Sequence, residues 1–349
     1  MAVTLSRFAE TQQAETAFTV LAAAKRLQAE GREIVELEIG DSPFPTADIV
    51  KQAAISAIQA NQTHYGPSAG LPEFRETAAH FLRREFRIDV APDGIVVAPG
   101  AKPFEQYFCE TFLNPGDGAL VFSPHFPTYP ANIERRGARS VFAALTHERQ
   151  FRPDPRDIEK FLADDPAPKA IFLNSPHNPT GGVALKEDLA AIADLVRGKD
   201  IAIFSDEPYC HMVWRGEHHS ILAEPGMLDQ TVAAYTMSKS YSMSGWRLGF
   251  AACHPEVAGR ISIMINTSVS CVPPFVQQAG IAALEHAGPD RDEAMQQFRD
   301  KVRRLCDGLS QIDGFEVLPP TATFYAFPRV ASICQKFGIS SHGLAMYLM

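Results

Sequence analysis

Seven short runs of apolar residues occur in the middle of the chain, and stretches with apolar residues at three- or four-residue spacing separate them. Short apolar runs predict strands, and the longer spacing predicts helices. The predicted strands are Ile95–Ala98, Ala119–Ser123, Ser140–Ala144, Ala170–Asn174, Ile201–Ser205, Val232–Thr236 and Leu248–Ala252. Several runs are apolar almost throughout, which favours an α/β fold whose mostly parallel sheet has helices on both faces. Ligands of such sheets bind beyond the carboxyl ends of the strands, so we expect the chemistry there.

The pattern differs on either side of this region. The helices predicted before it are Thr16–Glu30, Asp48–Ala60 and Leu71–Phe86, with a short strand at Ile34–Ile39. The elements predicted after it are a charged helix from about Arg291 to Leu309, strands at Phe315–Leu318 and Phe324–Phe327, and a last helix near Ser340. We therefore expect an N-terminal arm with part of a small domain in residues 1–45, a large domain in 46–290 and the rest of the small domain in 291–349.

Composition narrows the class of protein. The 349 residues carry a net charge of −9, which argues against nucleic acid or an anionic membrane as a partner. The six cysteines form no C-x-x-C pair, which is typical of reduced thiols in a cytoplasmic protein rather than of disulfides or a metal site. The sequence shows neither an apolar signal segment at its start nor an apolar run long enough to span a bilayer. We expect a soluble, cytoplasmic protein without a metal.

A lysine follows the sixth predicted strand in the segment TMSKSYSMSGWRLG, residues 236–249. Taken alone, Lys239 is a solvated loop lysine. Its position at the ligand-binding edge, between hydroxyl side chains and with Arg247 eight residues later, instead indicates an anion site, because hydroxyls and a guanidinium are the donors that a phosphate needs.

Two more segments follow predicted strands. In IAIFSDEPY, residues 201–209, Asp206 ends an apolar run, where an acidic residue usually caps a helix. In NSPHNPTG, residues 174–181, proline and glycine predict a turn with side-chain hydrogen bonds. The segment PGAK, residues 99–102, joins a strand to a helix and offers backbone N–H groups to an anion.

These segments, together with SPHFPTYP at 123–130 and HYGPSAG at 64–70, resemble the motifs of class I aminotransferases. The motifs occur in the family's order and at family-like spacing over nearly the whole chain. The resemblance implies the fold type I of enzymes that depend on pyridoxal 5′-phosphate (PLP): a large domain with a seven-stranded, mostly parallel sheet between helices, and a small α/β domain.

The resemblance also assigns roles to residues around the cofactor. It implies that Lys239 forms the Schiff base to PLP and acts as the base at the substrate's Cα. It implies that Asp206 pairs with the pyridine nitrogen, while Tyr209 and Asn178 donate to the phenolic oxygen. Burial and nearby positive charges are expected to lower the pKa of Lys239.

The remaining assignments concern the phosphate, the ring and the substrate. The resemblance implies phosphate donors at Ala101, Lys102, Thr236, Ser238 and Arg247, with Gly100 in the same cofactor-binding turn. Phe126 is implied to stack on the ring, and Tyr65 to reach the phosphate in a neighbouring subunit, which predicts a homodimer with shared sites. Gly40 and Asn178 are implied to lie near the substrate. Lys102 also matches a lysine that meets the distal carboxylate of acidic substrates in some members, although a lysine exposed on the first turn of a helix is an equal alternative.

The function implied is transfer of an amino group from an amino acid to a 2-oxoacid, with an acidic substrate such as aspartate as one preference. A PLP-dependent C–S lyase or cyclopropane-forming synthase would carry the same cofactor motifs. A PLP-binding regulator is a third alternative, and the short, non-basic N-terminus argues against its DNA-binding domain.

The C-terminal segment departs from the family pattern. Members usually continue beyond the helix predicted near Ser340, and that stretch holds the arginine that clamps the substrate's α-carboxylate. The sequence ends at Met349, and no arginine follows Arg329. We therefore expect an incomplete small domain, which belongs either to a fragment or to a truncated, catalytically impaired PLP-binding protein.

Overall fold

A computed structural model describes residues 3–11 and 16–348. Its centre is one seven-stranded sheet in the order β1-β7-β6-β5-β4-β2-β3. The strands are β1 (Ile95–Ala98), β2 (Gly118–Ser123), β3 (Arg139–Ala144), β4 (Pro168–Asn174), β5 (Ala202–Asp206), β6 (Thr231–Thr236) and β7 (Gly249–Ala252). Strand β7 is antiparallel to both of its neighbours, and the other pairings are parallel. All seven strands predicted from the apolar runs and the mostly parallel sheet are confirmed.

Burial explains the apolar runs. Every residue of β1, β5 and β7 is buried, because helices cover both faces of the sheet at these strands. Strand β3 lies at the edge of the sheet, and exposed positions recur along it.

Helices precede, cover and follow the sheet. They are α1 (Arg7–Thr11), α2 (Thr16–Ala29), α3 (Asp48–Gln59), α4 (Pro72–Phe86), α5 (Lys102–Phe112), α6 (Thr128–Arg135), α7 (Pro155–Asp164), α8 (Lys186–Val196), α9 (Pro255–Ser268), α10 (Pro274–His286), α11 (Gly288–Leu309), α12 (Ala331–Phe337) and α13 (Ser341–Leu348). One core cluster joins α4 and α10 to the sheet around Phe74 and Phe250. On the opposite face Phe108 of α5 packs against Phe172 and Phe204, with ring centroids 5.4 Å away in each case. These packed layers fix the helix starts that lie at the sheet edge.

Three short strands predicted outside the sheet are wrong. Residues 34–39 are irregular, and Val35 and Leu37 are 79% and 72% exposed, so this apolar run has no surface on which to be buried. Residues 315–318 and 324–327 also form no strand, although Glu316 makes an isolated bridge with Arg329. Alternating apolar residues form a strand only where a neighbouring strand supplies backbone hydrogen bonds.

The helices predicted around the sheet are confirmed to within a few residues at each end. Helix α11 begins at Gly288 and crosses the second predicted domain boundary, and both boundaries remain predictions. Among the described residues, each helix is too short or too polar to cross a bilayer. The same residues contain no group of three or more histidine, cysteine or acidic side chains arranged to hold a metal.

Candidate active site

One edge of the sheet gathers the segments that carry chemistry. Strands β1, β2, β4, β5 and β6 point in the same direction, so their carboxyl ends lie at this edge. Strand β7 runs the opposite way, so it begins at the same edge, two residues after Arg247. Gly249 is paired with Ala98 on one side and with Thr236 on the other. Segments that are far apart in sequence are therefore adjacent here.

Lys239 lies in the turn that follows β6. Its Nζ donates a hydrogen bond to the carbonyl oxygen of Gly40 at 2.6 Å, and lies 5.9 Å from the ring centre of Tyr209. Burial lowers the pKa of Lys239, and the positive charges of Arg247 and Lys102 act in the same direction. The carboxylates of Asp41 and Asp206 oppose this shift. The amine thus deprotonates more readily than an ordinary lysine, as expected from the sequence.

Asp206 is the last residue of β5 and is only 7% exposed. The phenol of Tyr129 donates a hydrogen bond to its Oδ2 at 2.5 Å. The pKa of Asp206 is raised to about 6, chiefly by burial and also by the charge of Glu207, while the Tyr129 hydrogen bond and the charges of Lys239 and Lys102 oppose the rise. The carboxyl is therefore mainly ionised at neutral pH and buried, which suits it to face a cationic group.

Tyr209 and Asn178 meet beside Asp206. Burial raises the pKa of Tyr209 well above its ordinary value, Tyr325 raises it further, and a hydrogen bond with Asn178 opposes the rise. Tyr209 thus stays a phenol, and its hydroxyl lies 2.8 Å from that of Tyr325. The side chain of Asn174 fixes the Asn178 loop, because its Oδ1 accepts from the Asn178 N–H and its Nδ2 donates to the Asp206 carbonyl, each at 2.8 Å.

The turn between β1 and α5 lies against Arg247. Gly100 has φ of +93°, and an added Cβ would lie 2.6 Å from the Arg247 Nη2 atom, so a side chain here would collide with the guanidinium. The guanidinium donates to the carbonyls of Pro99 at 3.0 Å and Ser244 at 2.8 Å. Helix α5 starts at Lys102, so its free N–H groups face the same region.

Two hydroxyls complete this anion-binding region. The Thr236 hydroxyl donates to the Ser238 oxygen at 2.9 Å and accepts from the Ser238 N–H at 3.1 Å. Hydroxyls, a guanidinium and a helix N-terminus together form a donor set that suits a phosphate.

Lys102 and Phe126 lie on the other side of that turn. The Nζ of Lys102 is 4.9 Å from the ring centre of Phe126, and the Phe126 ring meets Tyr129 edge to face at 5.8 Å. Although Lys102 is exposed, its positive charge acts on both Asp206 and Lys239. Its amine is therefore directed toward the site.

Gly40 contacts Lys239, whereas Tyr65 lies at the surface of the chain. Gly40 contacts Lys239 through its carbonyl, and an added Cβ would lie 2.6 Å from the Tyr325 hydroxyl. Tyr65 is 89% exposed at the surface of this chain. Its predicted role requires a second subunit.

Tyr129, Tyr325 and Glu105 are site residues that the sequence reasoning missed. Tyr129 lies three residues after Phe126 in the same segment and on the first turn of α6, and this closeness to Phe126 was the available signal. Glu105 stands three residues after Lys102 on α5 and is 2% exposed. Tyr325 comes from an irregular segment, so no local pattern indicated that its hydroxyl meets Tyr209.

The residues present fit PLP. Groups that can donate to a phosphate lie at the Gly100 turn and in the Thr236 hydroxyl, an ionised carboxyl lies at Asp206, and a phenol and an amide lie at Tyr209 and Asn178. The amine of Lys239 lies among them with a lowered pKa. PLP has a phosphate, a pyridine nitrogen, a phenolic oxygen and an aldehyde, and this donor set has a counterpart for each of the four groups.

Known proteins share both sequence and fold with this chain. Residues 32–345 match the family described as aminotransferase class I and II. A probable aspartate/prephenate aminotransferase of Aquifex aeolicus is 36% identical over 92% of this chain and 82% of that protein. An aspartate aminotransferase of Bacillus sp. strain YM-2 is 30% identical over 97% of this chain and 86% of its own length.

Solved structures agree with these relatives. A mutant of Thermus thermophilus aspartate aminotransferase superposes with a TM-score of 0.89 at 31% identity, covering 95% of this chain and 86% of that one. An aromatic aminotransferase of Pyrococcus horikoshii gives 0.79 at 32% identity, covering 83% and 78%. With its family motifs at the carboxyl edge of the sheet, the chain belongs to the class I and II aminotransferases and is a PLP-dependent transaminase.

Proposed function

We propose that this enzyme moves the amino group of an acidic, aspartate-like amino acid to a 2-oxoacid, with Lys239 as its catalytic base. The observation that carries the proposal is the placing of the Lys239 amine, with a lowered pKa, among Asp206, Tyr209 and the Gly100 turn. Relatives named aspartate aminotransferases, and one named for aspartate and prephenate, support the choice of substrate.

When bound, PLP supplies an electron sink that makes the proton at the substrate's Cα acidic. Lys239 would take this proton at Nζ and then deliver it to the aldehyde-derived carbon of the cofactor, on the other side of the amino nitrogen. Burial favours this role, because a neutral amine can accept a proton and an ammonium cannot. Asp206 would hold a proton on the ring nitrogen, and Tyr209 with Asn178 would donate to the phenolic oxygen.

The Gly100 turn would anchor the phosphate. Backbone N–H groups at Ala101 and Lys102, the hydroxyls of Thr236 and Ser238, and the guanidinium of Arg247 are the donors proposed for it. Phe126 would cover one face of the ring, which would restrict its orientation.

Lys102 would select the substrate. Its amine, directed over Phe126, would pair with the distal carboxylate of an acidic substrate, while Gly40 and Asn178 would line the space near the substrate's reacting end.

Substitution of Lys102 by alanine tests this choice. We expect kcat/KM for aspartate to fall by about tenfold to 100-fold, because a charged hydrogen bond contributes about 1.5–3 kcal/mol. An aromatic amino acid has no distal carboxylate, so its kcat/KM should change by less than about threefold. Stopped-flow records of the visible cofactor band after addition of each amino acid give both values. An equal loss for both substrates would show that Lys102 supports the site without selecting the substrate.

The same absorbance assay tests the reaction itself. The wild-type spectrum should change to that of the amino form of the cofactor with aspartate and return with a 2-oxoacid. Release of thiol and ammonia from a sulfur-containing amino acid, without 2-oxoacid exchange, would instead indicate a lyase.

We further propose a cytoplasmic homodimer in which Tyr65 of each subunit reaches the partner's phosphate site. The 89% exposure of Tyr65 supports its contact with a second subunit. The six cysteines are all free thiols, which supports a cytoplasmic location. Light scattering after size-exclusion chromatography should give twice the 38.2 kDa mass of the chain. Tyr65→Phe should raise the dissociation constant for PLP about tenfold without changing this mass. A monomer with full PLP affinity would contradict the shared site.

A further inference from the structure

Glu105 is a buried carboxyl that none of the proposed cofactor contacts uses. It lies on the first turn of α5, one turn after the Gly100 phosphate turn, and is 2% exposed. An isolated carboxylate at such a position is unfavourable, so its retention calls for hydrogen-bond partners and a function.

The partners of Glu105 lie on the neighbouring helix α6. Its Oε2 accepts hydrogen bonds from the Thr128 hydroxyl at 2.5 Å and from Asn132 Nδ2 at 3.2 Å. Asn132 also donates to the Thr128 carbonyl at 3.1 Å, so the three residues join the starts of the two helices. These contacts link the helix that begins at the phosphate turn to the helix that begins after Phe126.

Two residues of the ring end of the site lie at the start of helix α6, one in its first turn and one just before it. Tyr129 follows Thr128 directly and donates to Asp206 at 2.5 Å. Phe126 precedes Thr128 by two positions and packs edge to face on Tyr129. The position of the Thr128 segment therefore sets both the ring-stacking side chain and the hydrogen bond to the carboxyl of Asp206.

We propose that Glu105 is a positioning residue for the ring end of the PLP site: it holds the start of α6 so that Phe126 and Tyr129 keep their places against the ring and Asp206. The inference rests on the proposed function, since it concerns how this chain orients the cofactor. Glu105 itself does not touch the cofactor in this assignment.

The carboxyl performs this role in its neutral form. The pKa of Glu105 is raised to about 8, chiefly by burial and then by the charge of Asp206, while Thr128, Lys102 and Asn132 oppose the rise. The other titratable groups facing it are Cys109 on its own helix and Tyr129 on α6, and both stay uncharged because burial raises their pKa values as well. At neutral pH a glutamine should therefore replace Glu105, since its oxygen can accept the same hydrogen bonds.

Two substitutions separate position from charge. Glu105→Leu removes the link to α6, and we expect the dissociation constant for PLP to rise about tenfold and the visible circular dichroism per bound cofactor to fall. Glu105→Gln should keep both values within about twofold of wild type at pH 7.5. Glu110→Leu is the matched control, because Glu110 lies on the same helix and bonds only to Gln106 among the described hydrogen bonds, at 2.8 Å.

A measurement on the cofactor-free protein tests the role of Glu105 independently of the proposed function. In the cofactor-free protein, hydrogen exchange of residues 126–135 should accelerate in Glu105→Leu and stay at the wild-type rate in Glu105→Gln. If the wild-type protein bound no PLP, the proposed function would fail while the exchange rates still decided the role of Glu105.

Two results would overturn the inference. One is wild-type exchange and PLP affinity in Glu105→Leu, and the other is an equal loss in Glu105→Gln and Glu105→Leu. If Glu105→Leu does not fold, Thr128→Val removes the donor of the same hydrogen bond, and unchanged exchange and affinity in that variant would also reject the role.

Discussion

Replacement of Lys239 by alanine is expected to reduce kcat for transamination by at least about 10⁴-fold, because the base that moves the Cα proton would be lost. We also propose that this amine forms the covalent link to PLP, so the visible spectrum of the bound cofactor should change to that of an unlinked aldehyde. Steady-state kinetics with aspartate, together with the spectrum after dialysis, measure both effects.

Lys169→Ala is the matched control. Lys169 pairs with Asp200 at the surface, on the strand β4 but away from the carboxyl edge. The Lys169→Ala variant should retain wild-type kcat and the wild-type spectrum.

Added methylamine should restore part of the activity of Lys239→Ala, since a small amine can occupy the space of the side chain and accept the proton. A Lys239→Ala enzyme with wild-type turnover would exclude Lys239 as the base.

The large sheet could be predicted from the sequence because its strands can be recognised from their apolar composition alone. Runs such as Ile95–Ala98 are apolar at every position, and the structure buries every one of these side chains. Because the carboxyl ends of parallel strands meet at one edge of a sheet, Asp206, Thr236 and the Lys239 turn could be placed together without any knowledge of strand order. The sequence indicated these residues because Asp206 and Thr236 end strands and Lys239 follows in the turn after β6.

Residues that reach the site from a helix interior or an irregular segment could not be found in this way. Glu105 is a polar residue on a helix, and only its packing against Thr128 shows that it faces inward. Tyr325 comes from a segment that was predicted to be a strand, and its contact with Tyr209 depends on the fold of the whole chain. Local pattern predicts which residues are buried in a strand, but it does not predict which distant side chains meet.

Asp206→Asn is expected to lower kcat by about 10²- to 10³-fold, because the amide keeps the size of the side chain but cannot balance the charge on the ring nitrogen that we propose Asp206 faces. The same substitution should stabilise the cofactor-free protein. The pKa of Asp206 is about 6 in the fold, above the model-peptide value of 3.8, so the folded protein holds this proton more tightly than the unfolded chain does. As the pH rises from about 4 to about 6, ionisation of the buried carboxyl therefore destabilises the fold.

Above pH 6 this destabilisation should be complete, and it corresponds to at most about 3 kcal/mol for a shift of this size. Thermal melting of the cofactor-free proteins should thus give equal temperatures for wild type and Asp206→Asn near pH 4 and a higher temperature for the variant at pH 7.5. Asp200→Asn, at the exposed partner of Lys169, should leave both melting and kcat unchanged. A variant that lost activity and also melted lower at pH 7.5 would show that Asp206 stabilises the fold. A gain in stability with a loss of turnover would instead mean that this buried charge is retained for catalysis at the expense of the fold.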